Sequence, residues 1–487
     1  MKKLRFNLVL VVSVAMALSL VSCENDLQAP TQETDFKAPL ARTASSNSVN
    51  KLDASVVELA ANDAATVAGV YLKKNALSRS DNTKSVKNIV TINDSTGNPA
   101  IYVVNFEDGY IMVSATQKYY PVLAEVEHGT FTMDVLKETG MGVLVDEMVA
   151  EIKVARSGKY DFKAKTYWRD YVENGPSQKR RTRLMANSEP NDDYWAEYDR
   201  WMNSDGVKGN NVYYLHECFD NEILPEDAYN RYVSAAQDED LWEGTEYSWW
   251  WTAYVVEKKN EKFESHGPLL TTKWHQRYPY NITKYDYLGC VTIATAQIMK
   301  YFRHPTIFNW DNMPDSMQLP SESPDLVSFL AELRKKLDVS DEGASDIGKA
   351  EKALKNYGFS VFTTKHNDSE IINSLKRDYP VYAEGLDSNG KGGHAWVIDG
   401  LEYSTCLTEY VLYRLADNYY PNFCYQEAQC YERYHEYSSV IRYHYNWGWG
   451  GNQNCWSIHY GLPVLTGNST TYNFTKDRKE LIITGYK

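Results

Sequence analysis

Three polar residues, each at the end of a regular run, have the types needed to cleave an amide. Cys290 opens the stretch LGCVTIATAQIMK (Leu288 to Lys300). There Val291, Ala294, Ile298 and Phe302 recur at helical spacing and form one apolar stripe, Gln297 and Lys300 look elsewhere, and Pro305 ends the run. A thiol on the first turn of a helix meets unpaired N–H groups and the positive end of the helix dipole, which favour thiolate over thiol. Taken alone, Cys290 could equally be a small buried residue packing a helix start.

Two downstream runs supply what a thiolate nucleophile needs. In GGHAWVIDG (residues 392–400), His394, Trp396 and Ile398 share one face of an alternating strand whose end is opened by glycines. In VIRYHYNW (residues 440–447), Arg442, His444 and Asn446 share a face before the chain breaks into GWGG. If the two runs pair, Asn446 can reach the histidine. The imidazole would take the thiol proton and the amide would fix its tautomer. Glycine-flanked polar residues at strand ends are poor core material, so the trio Cys290, His394 and Asn446 points to nucleophilic amide hydrolysis.

The segments LGCVTIATAQIMKYFRHP, GGHAWVIDG and HYNWGWGG resemble the streptopain family of bacterial cysteine peptidases, made as zymogens with a papain-like fold. The resemblance spans Gly267 to Lys487. It implies Cys290 as nucleophile, His394 as general base, and Asn446 with Trp447 as the pair that orients and shields the histidine. PLLTTKWHQRYPYN (Pro268 to Asn281) is similar to the start of the family's mature enzyme and implies Gln276 as the oxyanion-hole amide. Its N–H and the Cys290 backbone N–H could aim at one developing oxyanion. The resemblance further implies a preference for an apolar side chain just before the residue at the cut. The chemistry calls for no metal or organic cofactor. Leu288, Ile282 and Thr283 depart from residues common in the family without removing a catalytic group. A further stretch rich in Tyr and Cys, residues 402–437, is longer than in compact relatives and is expected near the active-site end of the sheet.

The elements around these motifs predict an α+β protein. Residues 266–487 form a papain-like two-lobe catalytic domain, with a helical lobe bearing the cysteine and an antiparallel sheet lobe bearing the histidine. Helical patterns run from Ser323 to Tyr357, followed by strands at Ser360 to Thr364 and Pro380 to Gly385. Residues 51–157 read as a smaller α+β domain. It has a helix from Val56, strands at Asn88 to Asn93, Ile101 to Phe106 and Tyr110 to Ser114, a turn at Asp108-Gly109, and a helix from Val143 to Val154. The string GYIMVSATQKYYPVLAEV within it is similar to the streptopain-family propeptide, which implies an intramolecular inhibitor filling the cleft. A free-standing binding domain is the alternative.

Residues 158–265 form an aromatic-rich linker or accessory subdomain, expected to be helical. It opens on Lys179, Arg180, Arg181 and Arg183, either a solvated face or an exposed activation site. Its tryptophans and tyrosines suit a packed core more than a stacking platform for ligands.

At the start, Lys2, Lys3 and Arg5 precede an apolar run from Leu8 to Val21, and Leu20-Val21-Ser22-Cys23 resembles a lipoprotein signal-peptidase box. Residues 1–22 then form a signal peptide, Cys23 the lipidated anchor, and residues 23–50 a flexible tether; an ordinary secretory signal with an incidental cysteine is the alternative. That places the protein outside the cytoplasm, at the bacterial cell envelope or surface, held to the membrane at Cys23. A net charge of −14 is spread along the chain and argues against nucleic acid.

Of seven cysteines, Cys23 and Cys290 have other roles, leaving Cys218, Cys406, Cys424, Cys430 and Cys455 and room for at most two disulfides. With no CxxC pair, a local Cys424–Cys430 bridge is favoured over a metal site with His435.

Cleavage of protein or peptide substrates is the function these features favour. Another Cys-His amide hydrolase, or a surface binding protein with a vestigial site, are the alternatives.

Overall fold

The structure, a computed structural model, describes residues 52, 57–76, 85–159, 162, 164–172, 192–221, 223–237, 253–281, 287–386, 393–415, 429–459 and 478–487. Cys23, the tether, the basic run at 179–183 and Cys424 lie outside them.

The N-terminal part runs α1 (Ala61–Ala76), β1 (Val86–Asn93), β2 (Pro99–Phe106), β3 (Tyr110–Ser114), β4 (Val122–Val126), α2 (Met133–Glu138), α3 (Met141–Arg156) and α4 (Lys165–Trp168). The Asp108-Gly109 turn joins β2 to β3, whose alternating apolar residues are buried on both faces. The first helix begins at Ala61 rather than Val56, because Glu58 bridges to Thr116 in extended conformation. The Asp63 carboxylate then caps the helix start by accepting from Ala60 N–H (2.8 Å).

The middle part holds α5 (Asp192–Met202), β5 (Asn211–Tyr214), α6 (Glu226–Gln237) and β6 (Ala253–His266). It is therefore mixed, not helical.

The C-terminal part contains α7 (Cys290–Phe302), α8 (Pro324–Lys336), α9 (Ile347–Asn356), β7 (Phe359–Lys365), α10 (Asp368–Leu375), β8 (Val381–Leu386), β9 (Gly393–Arg414), β10 (Gln429–Asn446), β11 (Cys455–His459) and β12 (Lys479–Tyr486). Ser323 and Asp346 cap α8 and α9 by accepting from Leu326 N–H and Lys349 N–H. Helices α7, α8 and α9 share a core with the near face of the sheet through Ile293, Leu330, Leu354, Tyr382, Val397 and Leu481.

One antiparallel sheet unites the chain, in the order β1-β2-β3-β4-β11-β10-β9-β8-β12-β7. The sheet of the N-terminal part continues that of the C-terminal part where β4 pairs with β11 (Val126 opposite Cys455, Ala124 opposite Ser457). The far face packs with α3 and its neighbours into a second core that includes Ile152, Met141, Trp396 and Trp447. Strand β9 is long: β10 runs along one side, while β8 and then β6 cover the other.

Residues 402–414 and 429–437 extend β9 and β10 into a ribbon instead of gathering near the active-site end. Arg414 lies about 65 Å of strand beyond His394, at roughly 3.3 Å per residue. The ribbon pairs with β6 and covers small cores containing Leu215, Tyr232, Val255 and Leu412, and Trp201, Tyr254 and Val256. The stretch expected near the cleft and the region read as a subdomain thus build one arm together, far from His394. Among the described residues no helix is long and apolar enough to cross a membrane.

Candidate active site

Helix α7 starts at the cysteine because of the residue before it. Gly289 has φ 86, and a Cβ there would sit 2.6 Å from the Gly343 carbonyl oxygen, so only glycine lets the chain turn into the helix at this point. Cys290 is half-buried as the first helical residue. Burial pushes its thiol up, while the backbone N–H groups of Ala395, Val291 and Cys290 itself pull the other way. The Ala395 contact joins the start of the helix to the start of β9, the residue beside His394.

His394 stands at the mouth of β9, its ring nearly parallel to that of Trp396 (14°, centroids 6.4 Å apart). Its Nε2 lies 3.4 Å from the Trp447 carbonyl. A carbonyl can only accept, so Nε2 carries the proton and Nδ1 is the nitrogen able to take one. Burial pushes this imidazole down to about 4.

Asn446 ends β10 opposite Val397. Its side chain is engaged with the helical lobe: Nδ2 donates to the Thr272 carbonyl (3.1 Å), and Oδ1 accepts from Gln297 Nε2 (3.0 Å) and Gly448 N–H (3.1 Å). Trp447 is buried, stacked on Tyr445 and packed against Trp396.

Gln276 is fully buried, and its carbonyl accepts from Leu288 N–H (2.9 Å), tying its loop to the turn before Cys290. Its amide nitrogen and oxygen are both buried without a hydrogen-bond partner. An unpaired buried amide is costly unless a ligand completes it, which suits a group waiting for an oxyanion. The loop is clamped by Gly450 N–H donating to the Trp274 carbonyl (3.0 Å) and by His275 edge-on to Trp449.

Two participants were not apparent from pattern alone. Gln297 does not look away from the fold: it is fully buried, because its i+7 spacing from Cys290 returns it to the helix face that meets β10. Gly140, at the N-terminus of α3, lies against the site from the opposite part of the chain. A Cβ built on it would sit 2.5 Å from Trp447 Cζ3 and 2.9 Å from His394 Cδ2. The other described cysteines with resolved side chains, Cys218, Cys406 and Cys455, are free thiols. Of the two disulfides allowed by count, at most the Cys424–Cys430 pair remains, and it falls outside the described side chains.

Two family profiles match the chain. Residues 274–309 and 306–457 match the Peptidase C10 family, and residues 53–152 match the Spi protease inhibitor. Among curated proteins, streptopain of Streptococcus pyogenes is 28% identical over 215 residues, covering 34% of this chain and 43% of that protein. The thiol protease/hemagglutinin PrtT of Porphyromonas gingivalis is 23% identical over 235 residues, covering 38% of this chain and 22% of that protein. The chain thus spans less than half the length of these relatives. Among solved structures, a prointerpain A fragment from Prevotella intermedia aligns over 81% of this chain and 97% of its own, at 16% identity and a TM-score of 0.41. The two profile matches make the chain streptopain-like, with a region similar to Peptidase C10 preceded by one similar to the Spi protease inhibitor.

Proposed function

We propose that this protein is a cysteine endopeptidase held as a zymogen by its own Spi-type region. His394 Nδ1 takes the Cys290 proton, and the thiolate adds to a peptide carbonyl. The resulting oxyanion rests between Gln276 Nε2–H and the Cys290 backbone N–H. The imidazolium then protonates the departing amine, and water, deprotonated by the same imidazole, releases the acid from the thioester. The Trp447 carbonyl orients the histidine and its indole shields the ring, while Asn446 acts on His394 indirectly, by holding the end of β10 that carries Trp447.

The observation that carries the zymogen reading is the seat of Gly140 on Trp447 and His394, inside a region that includes the Spi match. Burial opposes the charged form of Cys290 and of His394 alike, so the closed form disfavours the thiolate–imidazolium pair. Departure of the Spi-type region would rehydrate both groups.

The remaining assignments belong to the same reading. Residues 1–22 form the signal peptide, Cys23 carries lipid and anchors the protein outside the cytoplasm, and 23–50 form the tether. Residues 51–157 are the propeptide, 158–265 the accessory part and 266–487 the peptidase domain. Substrates are proteins or peptides.

Labelling by an epoxide peptide mimic tests the catalytic assignment. After activation, wild type should be modified at Cys290 and should degrade unstructured protein but not cell-wall peptides. Cleavage of cell-wall peptides alone would move the function to amide hydrolysis of another class, and no labelling would leave a binding protein.

A further inference from the structure

We infer that Gln297 is a positioning residue, acting on His394 through the end of β10; the inference rests on the reading above that His394 is the base. Gln297 lies two turns beyond Cys290 on the same face of α7, about 10 Å along the axis. It is fully buried, and its Nε2 donates to Asn446 Oδ1 (3.0 Å) and to the Thr272 carbonyl (3.2 Å). Asn446 Nδ2 donates to that same carbonyl (3.1 Å), and Gly448 N–H donates to Asn446 Oδ1 (3.1 Å).

Asn446 is therefore fixed by a closed set of bonds. Turning its amide would break them and strand the Gln297 donor where water does not reach, and a stranded buried donor costs more than the bond contributes. The carbonyl that receives His394 Nε2–H belongs to Trp447, the next residue, so the same pin holds both polar groups at this strand end. One helix thus carries the nucleophile at its start and, two turns on, the group that locates the partner of the base. The coupling is geometric: Gln297 touches neither substrate nor the reacting atoms.

The test uses the full chain after self-processing, with Gln297→Leu, Asn446→Ala and the double variant. Two quantities are read: kcat and KM on a peptide substrate, and the pH profile of Cys290 alkylation by iodoacetamide. Gln297→Leu should lower kcat about tenfold or more with KM nearly unchanged, and should move the alkylation profile toward that of an ordinary thiol. The double variant should be no worse than Asn446→Ala, because the two residues act in series. Loss of thermal stability with kcat and profile intact, or additive losses in the double variant, would overturn the inference.

If Gln297→Leu does not fold, Gln297→Glu decides. Its neutral acid can donate to Asn446 and its carboxylate cannot, so its kcat relative to wild type should fall as pH rises; a flat ratio overturns the inference. Wild-type Cys290 alkylating as an ordinary thiol would instead sink the peptidase reading, and this inference with it. A lowered wild-type thiol pKa left untouched in Gln297→Leu sinks this inference alone.

Discussion

Gly140 meets Trp447 so closely that a Cβ on the glycine would lie 2.5 Å from Cζ3 and 2.8 Å from Cε3 of the indole. The indole is itself buried, stacked on Tyr445 and packed against Trp396. Gly140→Leu should therefore lift the Spi-type region from His394 while leaving both parts folded. Overpacking of this kind costs about 1–3 kcal/mol. If all of that acts on the closed state, epoxide labelling of Cys290 in the uncleaved chain should speed up about 5- to 150-fold. Labelling at the wild-type rate would mean that Gly140 does not hold the site shut.

Closure should also weaken in acid. His394 is pushed from an ordinary 6.5 down to about 4 by burial. Its protonation therefore favours the open form: the closed form keeps its stability above 6.5 and loses it as pH falls toward 4. Glu147, raised by burial beside Arg478, and Glu151, pushed up to about 8 by burial, contribute in the opposite sense, so the slope measured is a net and the His394 share is read from a variant lacking the imidazole. In a Cys290→Ala background, which cannot cut itself, protease sensitivity of the Spi-type region should rise between pH 6.5 and 4. The rise should shrink in the additional variant His394→Gln. An equal rise in both would place the acid sensitivity elsewhere.

Gln276→Ala should separate activity from stability. Its amide makes no hydrogen bond, so truncation strands no partner, and only its packing is lost. Loss of one oxyanion donor lowers kcat about 100- to 1000-fold. Kinetics and a melting curve on the same sample check this, and a kcat within a few-fold of wild type would remove Gln276 from the oxyanion site.

Strand β6 should outlast activation. All of it pairs with β9, from Ala253 opposite Arg414 to His266 opposite Leu401. Its buried Glu257 is ion-paired with Arg169 and accepts from Asn211 Nδ2 and Tyr213 OH, both at 2.9 Å. A cut just before Gly267 should thus leave residues 253–266 bound. Size-exclusion chromatography followed by mass spectrometry should find that fragment with the peptidase part. A peptidase part eluting alone would show that the ladder does not hold without the covalent link.

What could be read from the chain followed the range of the interactions. The helix at Cys290 and the strands at His394 and Asn446 come from local periodicity and glycine punctuation, and the structure has all three elements. Strand β6 was invisible because EKKNEKFES (Glu257 to Ser265) has no apolar face of its own and gains its order from β9, more than a hundred residues later. Gln297 looked like a polar residue off the apolar stripe, since its partner Asn446 is set by how β10 ends against α7. Gly140 has no motif at all. Its contact exists only because Trp447, some 300 residues on, is delivered to the same place by the continuous sheet.

Intact-mass measurement on the chain from Glu24 onward, beside Cys290→Ala, under reducing conditions at mildly acidic to neutral pH, tests the central claim most directly. The account predicts that wild type trims itself to a product beginning between Arg183 and Gly267, while the alanine form stays whole and is trimmed only when active wild type is added. Equal processing of both forms alone, or a wild type that stays whole and leaves Cys290 unlabelled after the Spi-type region is removed by another protease, would contradict it.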